Sequence, residues 1–200
     1  MSYPIQYTVD YVEQRNRLTT FFRMLIAIPW WIVGGLYVLG AILAAIVAWF
    51  AIVFTGTYPP ALYDFVASAI RMVTRASGYM WLMTDTLPPF DGGPHDQYPV
   101  RVVVPPALAK YDRVKTLARI IFLIPVYIIS AILGFVLDVV GFVSWLVIVV
   151  TGKQMRGLHD VMLMATSYQA RALAYFLLVT EEFPPFVIDP APAGAQVGGA

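Results

Sequence analysis

Apolar and polar positions alternate in the first residues of the chain. Ile5, Tyr7, Val9 and Tyr11 take every second place in residues 5–11, the period of a half-buried strand. A basic stretch with Arg15, Arg17 and Arg23 follows. Residues 24–54 then run for thirty-one positions without a charge. One membrane-crossing helix needs only ~20. Beyond this run, residues 60–84 take the period of an amphipathic helix. Leu62, Phe65, Val66, Ala69, Ile70, Val73 and Ala76 form its apolar stripe, and Asp64, Ser68, Arg71 and Arg75 its polar one.

The same blocks return later. A shift of 96 places lays Arg17 on Arg113, Arg23 on Arg119, Pro29 on Pro125, Trp49 on Trp145 and Thr55-Gly56 on Thr151-Gly152. It also lays Asp64 on Asp160, Arg75 on Arg171 and Pro88-Pro89-Phe90 on Pro184-Pro185-Phe186. Tyr3-Pro4 matches Tyr98-Pro99 at a shift of 95, with one extra residue near Pro105. Shared Arg, Asp, Pro, Trp and Gly positions mark a tandem duplication, which apolar matches alone would not. The first repeat covers residues 1–92, with its apolar segment at 18–55 and amphipathic helix at 60–84. The second covers 97–188, with corresponding segments at 114–151 and 156–180, and a flexible tail follows at 189–200. Alternation at 5–11 and 100–104, together with Phe186-Val187-Ile188, predicts a small strand pairing that ties the repeats together.

Two arrangements fit each apolar run. One is a tight helical hairpin of two short spans, turning near Gly34-Gly35 to Gly40. The other is an interfacial helix up to Ile28, then a single span from Pro29 onward. Asp138 weighs toward the hairpin. At the centre of a single span its charge costs ~2.5–3.5 kcal/mol, whereas near a turn it reaches water. Ile42 holds its place in the first copy. Either arrangement gives four crossings, counting an interfacial amphipathic helix with the hairpin and a spanning one with the single span. Lys and Arg gather on cytoplasmic flanks. Both basic stretches precede an apolar run, which predicts parallel repeats and a cytoplasmic N-terminus. The start of the chain lacks the pattern of a cleavable signal.

Composition sharpens this picture. Hydrophobic residues make up 60% of the 200 and charged ones 12%. Soluble domains run nearer ~45–50% and ~25%, so a soluble or disordered chain is excluded. The net charge of +1 gives no footprint for nucleic acid. Cysteine is absent, and the only histidines are His95 and His159. The expected fold is an all-α integral membrane protein with two amphipathic helices and short extramembrane strands.

Candidate chemistry is sparse. His159 and Asp160 are adjacent, so on a helix they point in different directions, and Tyr63-Asp64 stands there in the first copy. Asp91-Gly92-Gly93 precedes a proline rather than a helix, unlike a phosphate loop. Trp30, Trp31, Trp49, Trp81 and Trp145 suit an interfacial belt. No catalytic, cofactor or metal residue is assigned, and an enzyme is not expected. Arg15, Arg17, Arg23, Arg113, Lys115 and Arg119 either contact anionic lipid headgroups or set topology alone. Asp64, Arg71, Arg75, Asp138, Asp160 and Arg171 would line a polar pathway between the repeats.

Several motifs carry a family likeness. They are Tyr3-Pro4-Ile5, the spacing of Arg17 and Arg23, Ala27-Ile28-Pro29, residues 48–56, Tyr58-Pro59, and Leu82-Met83-Thr84-Asp85 with Pro88-Pro89-Phe90. Together they resemble an uncharacterised bacterial membrane family, domain of unknown function 4389. The second copy departs at Lys153-Gln154-Met155 and carries Glu181 in place of the aspartate. The resemblance implies an integral protein of the bacterial cytoplasmic membrane, common in actinobacteria, and no particular activity. Two functional readings remain. The first is an accessory, scaffold or lipid-organising protein, whose partners are membrane lipids and further membrane subunits or a second copy. The alternative is a small transporter or channel.

Overall fold

The computed structural model describes residues 3–95 and 97–185. The alternating run at 186–188 and the tail lie outside the described residues. In chain order the elements are β1 (Gln6–Val9), α1 (Arg17–Phe21), α2 (Arg23–Ile26), α3 (Ile28–Thr55), α4 (Pro60–Met80), β2 (Val100–Val103), α5 (Arg113–Thr151) and α6 (Arg156–Phe176).

The apolar runs are not hairpins. In the second copy α5 is a single helix that passes through Pro125. In the first copy α1, α2 and α3 cover the equivalent length, with relaxed residues at Phe22 and Ala27. The helical hydrogen bonds continue across both points: Phe22 donates to the Leu18 carbonyl at 3.1 Å and Trp31 to that of Ala27 at 3.0 Å. The glycines read as turn residues lie within α3, and one of them, Gly40, serves close packing instead. A Cβ on Gly40 would meet the Phe65 ring at 2.9 Å, and one on Gly34 would lie 4.0 Å from the Met72 sulfur. Among the described residues, two helices, α3 and α5, are long and apolar enough to cross a membrane, and the count of four crossings is not supported.

β1 and β2 pair antiparallel with Tyr7 opposite Val102. The shift of 95 makes these two residues counterparts, so a pseudo-two-fold axis passes between them. Bonds elsewhere come in matching pairs. Arg15 N–H donates to the Gly152 carbonyl at 2.9 Å, and Tyr111 N–H donates to that of Gly56 at 2.9 Å. Trp145 Nε1 donates to the Thr20 carbonyl at 3.0 Å, and Trp49 Nε1 to that of Thr116 at 3.2 Å. The start of each long helix therefore meets the end of the other. The long helices run antiparallel, so as single spans they would cross in opposite directions, against the expectation of parallel repeats.

Three layers result. The β1–β2 ribbon packs on α4 and α6, and these two pack on each other and on the long helices. The middle pair is the core, with Val66, Ala69, Ile70, Met72, Met162, Ala165 and Ala174 all buried. The long helices bury one stripe each, Ala41, Ala45, Ala48 and Ile52 on α3 and Leu133, Leu137, Gly141 and Ile148 on α5.

Helix ends repeat as well. Asn16 and Asp112 cap α1 and α5 by accepting from the N–H groups two and three residues on. Each middle helix ends in a Schellman turn: Met83 N–H reaches the Gly78 carbonyl at 2.9 Å and Val179 that of Ala174 at 2.9 Å. The left-handed residue is a leucine in both, Leu82 at φ 60° and Leu178 at φ 66°. Glycine usually holds this place, because a side chain there costs ~1–2 kcal/mol. The buried leucine side chains offset that strain by packing.

Candidate functional site

Each Schellman turn is held by a buried arginine. Arg23 donates to the Tyr79 carbonyl and at 2.8 Å to that of Thr84, stacks 4.5 Å from the Tyr79 ring, and pairs with Asp85. Arg119 donates to the Tyr175 carbonyl at 2.8 Å and the Thr180 carbonyl at 2.9 Å, and lies 4.4 Å from the Tyr175 ring. The copies differ in the acid. Both acids accept from a capping residue's N–H, Asp85 from Asn16 at 3.0 Å and Glu181 from Asp112 at 2.6 Å, but Glu181 pairs with Lys115 at 3.8 Å and not with Arg119. Among the described residues Arg119 has no ion-pair partner.

The two ends of the molecule carry different side chains on equivalent backbone. At one end Arg15 Nε donates to Gln154 Oε1 at 2.8 Å and its NH2 to the Met83 carbonyl at 2.8 Å. Tyr11 donates to the Gln154 carbonyl at 2.7 Å and meets the His159 ring edge-on at 5.1 Å. Burial, reinforced by the Arg15 charge, pulls the His159 pKa down to about 4. Burial also lowers that of Arg15. Gln154 Nε2 and His159 Nδ1 are buried without a hydrogen-bond partner. At the other end the shift of 96 places Tyr111, Tyr58 and Tyr63 where Arg15, Gln154 and His159 stand. Tyr58 packs 5.2 Å from Tyr63 and 5.9 Å from Tyr111.

The cations proposed for headgroups fall into two groups. Arg15, Arg23 and Arg119 are buried and bind protein carbonyls. Arg17, Arg113 and Lys115 are exposed. Arg17 lies over Gly152 and Arg113 over Gly56, each at the C-terminal end of the opposite long helix. A cation is favoured there by ~0.3–1 kcal/mol.

The six residues proposed for a pathway are not brought together. Asp64 and Asp160 are exposed on the middle helices. Arg71 and Arg75 hold the loop after α4 through the Gly92 carbonyl at 3.3 Å and the Gly93 carbonyl at 2.7 Å. This loop lies so close that a Cβ on Gly92 would overlap the Ser68 backbone. Arg171 donates to the Pro185 carbonyl at 3.2 Å. Asp138 is exposed on α5, about 100° around the helix from the Leu137 stripe, on the same flank as Trp145.

An apolar groove of about 310 Å³ opens between the end of α3 and the start of α5. Ile42, Trp49, Phe50, Ile120 and Leu123 line it, with Arg119 in its wall. Sequence reasoning missed this groove and both end clusters. The signal was present: positions 15, 154 and 159 depart together from their counterparts.

A family model described as a domain of unknown function, DUF4389, matches residues 17–91 and again 113–187. No curated protein and no solved structure matches the chain.

Proposed function

The chain belongs to the DUF4389 family and carries its domain twice, and from that premise we propose a membrane-embedded scaffold that organises lipid and catalyses no reaction. Its partners are membrane lipids, with further membrane subunits or a second copy. The long helices lie along one leaflet of the bacterial cytoplasmic membrane, and the ribbon, with the N-terminal arm, faces the cytoplasm.

One observation carries this reading: the long helices expose a broad apolar face, on which Asp138 is the charge away from the helix ends. Leu36, Leu39, Leu43, Val47 and Phe54 on α3, with Phe135, Val139, Phe142 and Val150 on α5, are exposed. Such a patch needs a cover. The exposed ion pairs, Arg101–Asp10 and Lys153–Glu13, belong to the ribbon and the segments beside it. If the long helices crossed the bilayer, Arg101 and Asp10 would lie near its mid-depth, where ionised groups are expensive. Lying flat turns the pseudo-two-fold axis along the membrane normal. Both basic stretches then face one side, although the helices are antiparallel. Length points the same way. At ~1.5 Å per residue the 39 residues of α5 extend about 58 Å, against a hydrocarbon core of ~30 Å.

Cysteine labelling tests the placement on a chain that has none of its own. Gln14→Cys and Lys110→Cys mark opposite ends of the molecule, and Leu39→Cys marks the apolar face. A membrane-impermeant maleimide is expected to reach both end positions from the cytoplasmic side only, and Leu39→Cys from neither. End positions labelled from opposite sides would overturn the placement.

A conduit is the second reading. Thr74, Arg75, Ser167 and Arg171 are polar and buried on the inner helices, and such groups in a membrane protein often mark a pathway. Ion flux through reconstituted vesicles that is lost in Ser167→Ala would favour it. No flux would remove it.

A further inference from the structure

We propose that the groove between α3 and α5 holds one anionic membrane lipid, its acyl chain on the apolar wall and its phosphate at Arg119. The proposal rests on the membrane placement above.

The first support is access. Phe50 and Ile120, 52% and 61% exposed, belong at once to the groove and to the apolar outer surface. A chain from the surrounding leaflet therefore enters without crossing polar ground.

The second is charge. Arg119 is 3% exposed, and its two donating nitrogens meet only neutral carbonyls. Its Nε is buried without a partner. The acid beside it, Glu181, is turned to the Asp112 N–H and Lys115, and the buried guanidinium keeps a desolvation cost that an incoming phosphate relieves by charge-assisted hydrogen bonds. Exposed Arg113 and Lys115, earlier on the same helix, add attraction for the headgroup.

The third is the counterpart position. Arg23 already pairs with Asp85, and Asp138 stands where the groove has Ile42. An anion at that end would find a neutralised cation and a nearby carboxylate. One lipid per chain follows, not two.

The test uses the full chain in phosphatidylcholine vesicles, with brominated phosphatidylglycerol or brominated phosphatidylcholine added in graded amounts. Trp49 lines the groove, and its share of the fluorescence is the difference from Trp49→Phe. Phosphatidylglycerol is expected to quench that share at a roughly tenfold lower mole fraction, the scale of one charge-assisted contact. Arg119→Gln removes the preference. Ile42→Asp, which borrows the residue of the counterpart position, removes it without touching the arginine. Asp138→Ile keeps it. Equal quenching by the two lipids in the unmodified protein would overturn the lipid site and leave the membrane placement standing. No quenching by either would overturn the placement itself.

Discussion

At one end of the molecule Arg15, Gln154 and His159 gather beneath Tyr11. At the other, Tyr111, Tyr58 and Tyr63 hold the same three places. The backbone bonds are shared, Arg15 to Gly152 and Tyr111 to Gly56, both at 2.9 Å. What differs is how each trio satisfies burial. The tyrosines pack their rings and send hydroxyls outward to carbonyls, Tyr63 to Pro105 at 2.6 Å and Tyr58 to Leu177 at 3.3 Å. The polar trio spends its bonds on one internal pair, the Met83 carbonyl and Tyr11, and two of its nitrogens remain without partners. Identical backbone latches can thus be filled by an insensitive aromatic plug or by a polar cluster that responds to protons.

Mutations at the polar end should break this contrast most. Arg15→Ala strands Gln154 Oε1 and the Met83 carbonyl and should cost about 3–6 kcal/mol, summed over two lost bonds to a charged donor. Denaturation in detergent would measure it. Acid comes next. The folded pKa of His159, about 4, lies below the ordinary 6.5. Between those values the unfolded chain binds the extra proton, so stability is full above about pH 6.5 and falls as pH drops toward 4. The loss amounts to about 3 kcal/mol at most. His159→Tyr, which copies the aromatic end, should flatten the slope in a thermal melt run against pH. Tyr58→Phe at the other end should cost about 0.5–1.5 kcal/mol, one neutral hydrogen bond, with no pH dependence over the same window. Smallest is Lys153→Ala, which opens an exposed ion pair with Glu13 at 3.0 Å. It should shift stability by less than ~1 kcal/mol.

Features set by local spacing were legible in the sequence. The alternation of Tyr7 and Val9 against Val100 and Val102 is written in period two, and the stripes of α4 in period 3.6. The relative direction of the copies was not, because a shift of 96 is the same number for parallel and antiparallel neighbours. Gly34, Gly35 and Gly40 carried a turn signal that the continuous helix overrode, and at Gly40 the Phe65 ring uses the missing side chain to approach. Arg23 and Arg119 looked like headgroup cations because any arginine before an apolar run does. The clue to their burial lay one helix later, in the paired recurrence of Tyr79 with Tyr175 and Thr84 with Thr180. Leu82 and Leu178 gave no local sign of a helix end, since neither is glycine.

The axis between Tyr7 and Val102 has a consequence for assembly. Contacts that pass through it are isologous, with each copy giving to the other what it receives. Two separate half-chains could meet the same bonds twice and close as a homodimer, at a strength set by their concentration. Joining them in one chain makes that encounter intramolecular, at the high effective concentration a short tether confers. Fusion also frees the halves to differ. That freedom is what lets one latch be tyrosine and the other arginine, and one buried guanidinium keep its carboxylate while the other goes without.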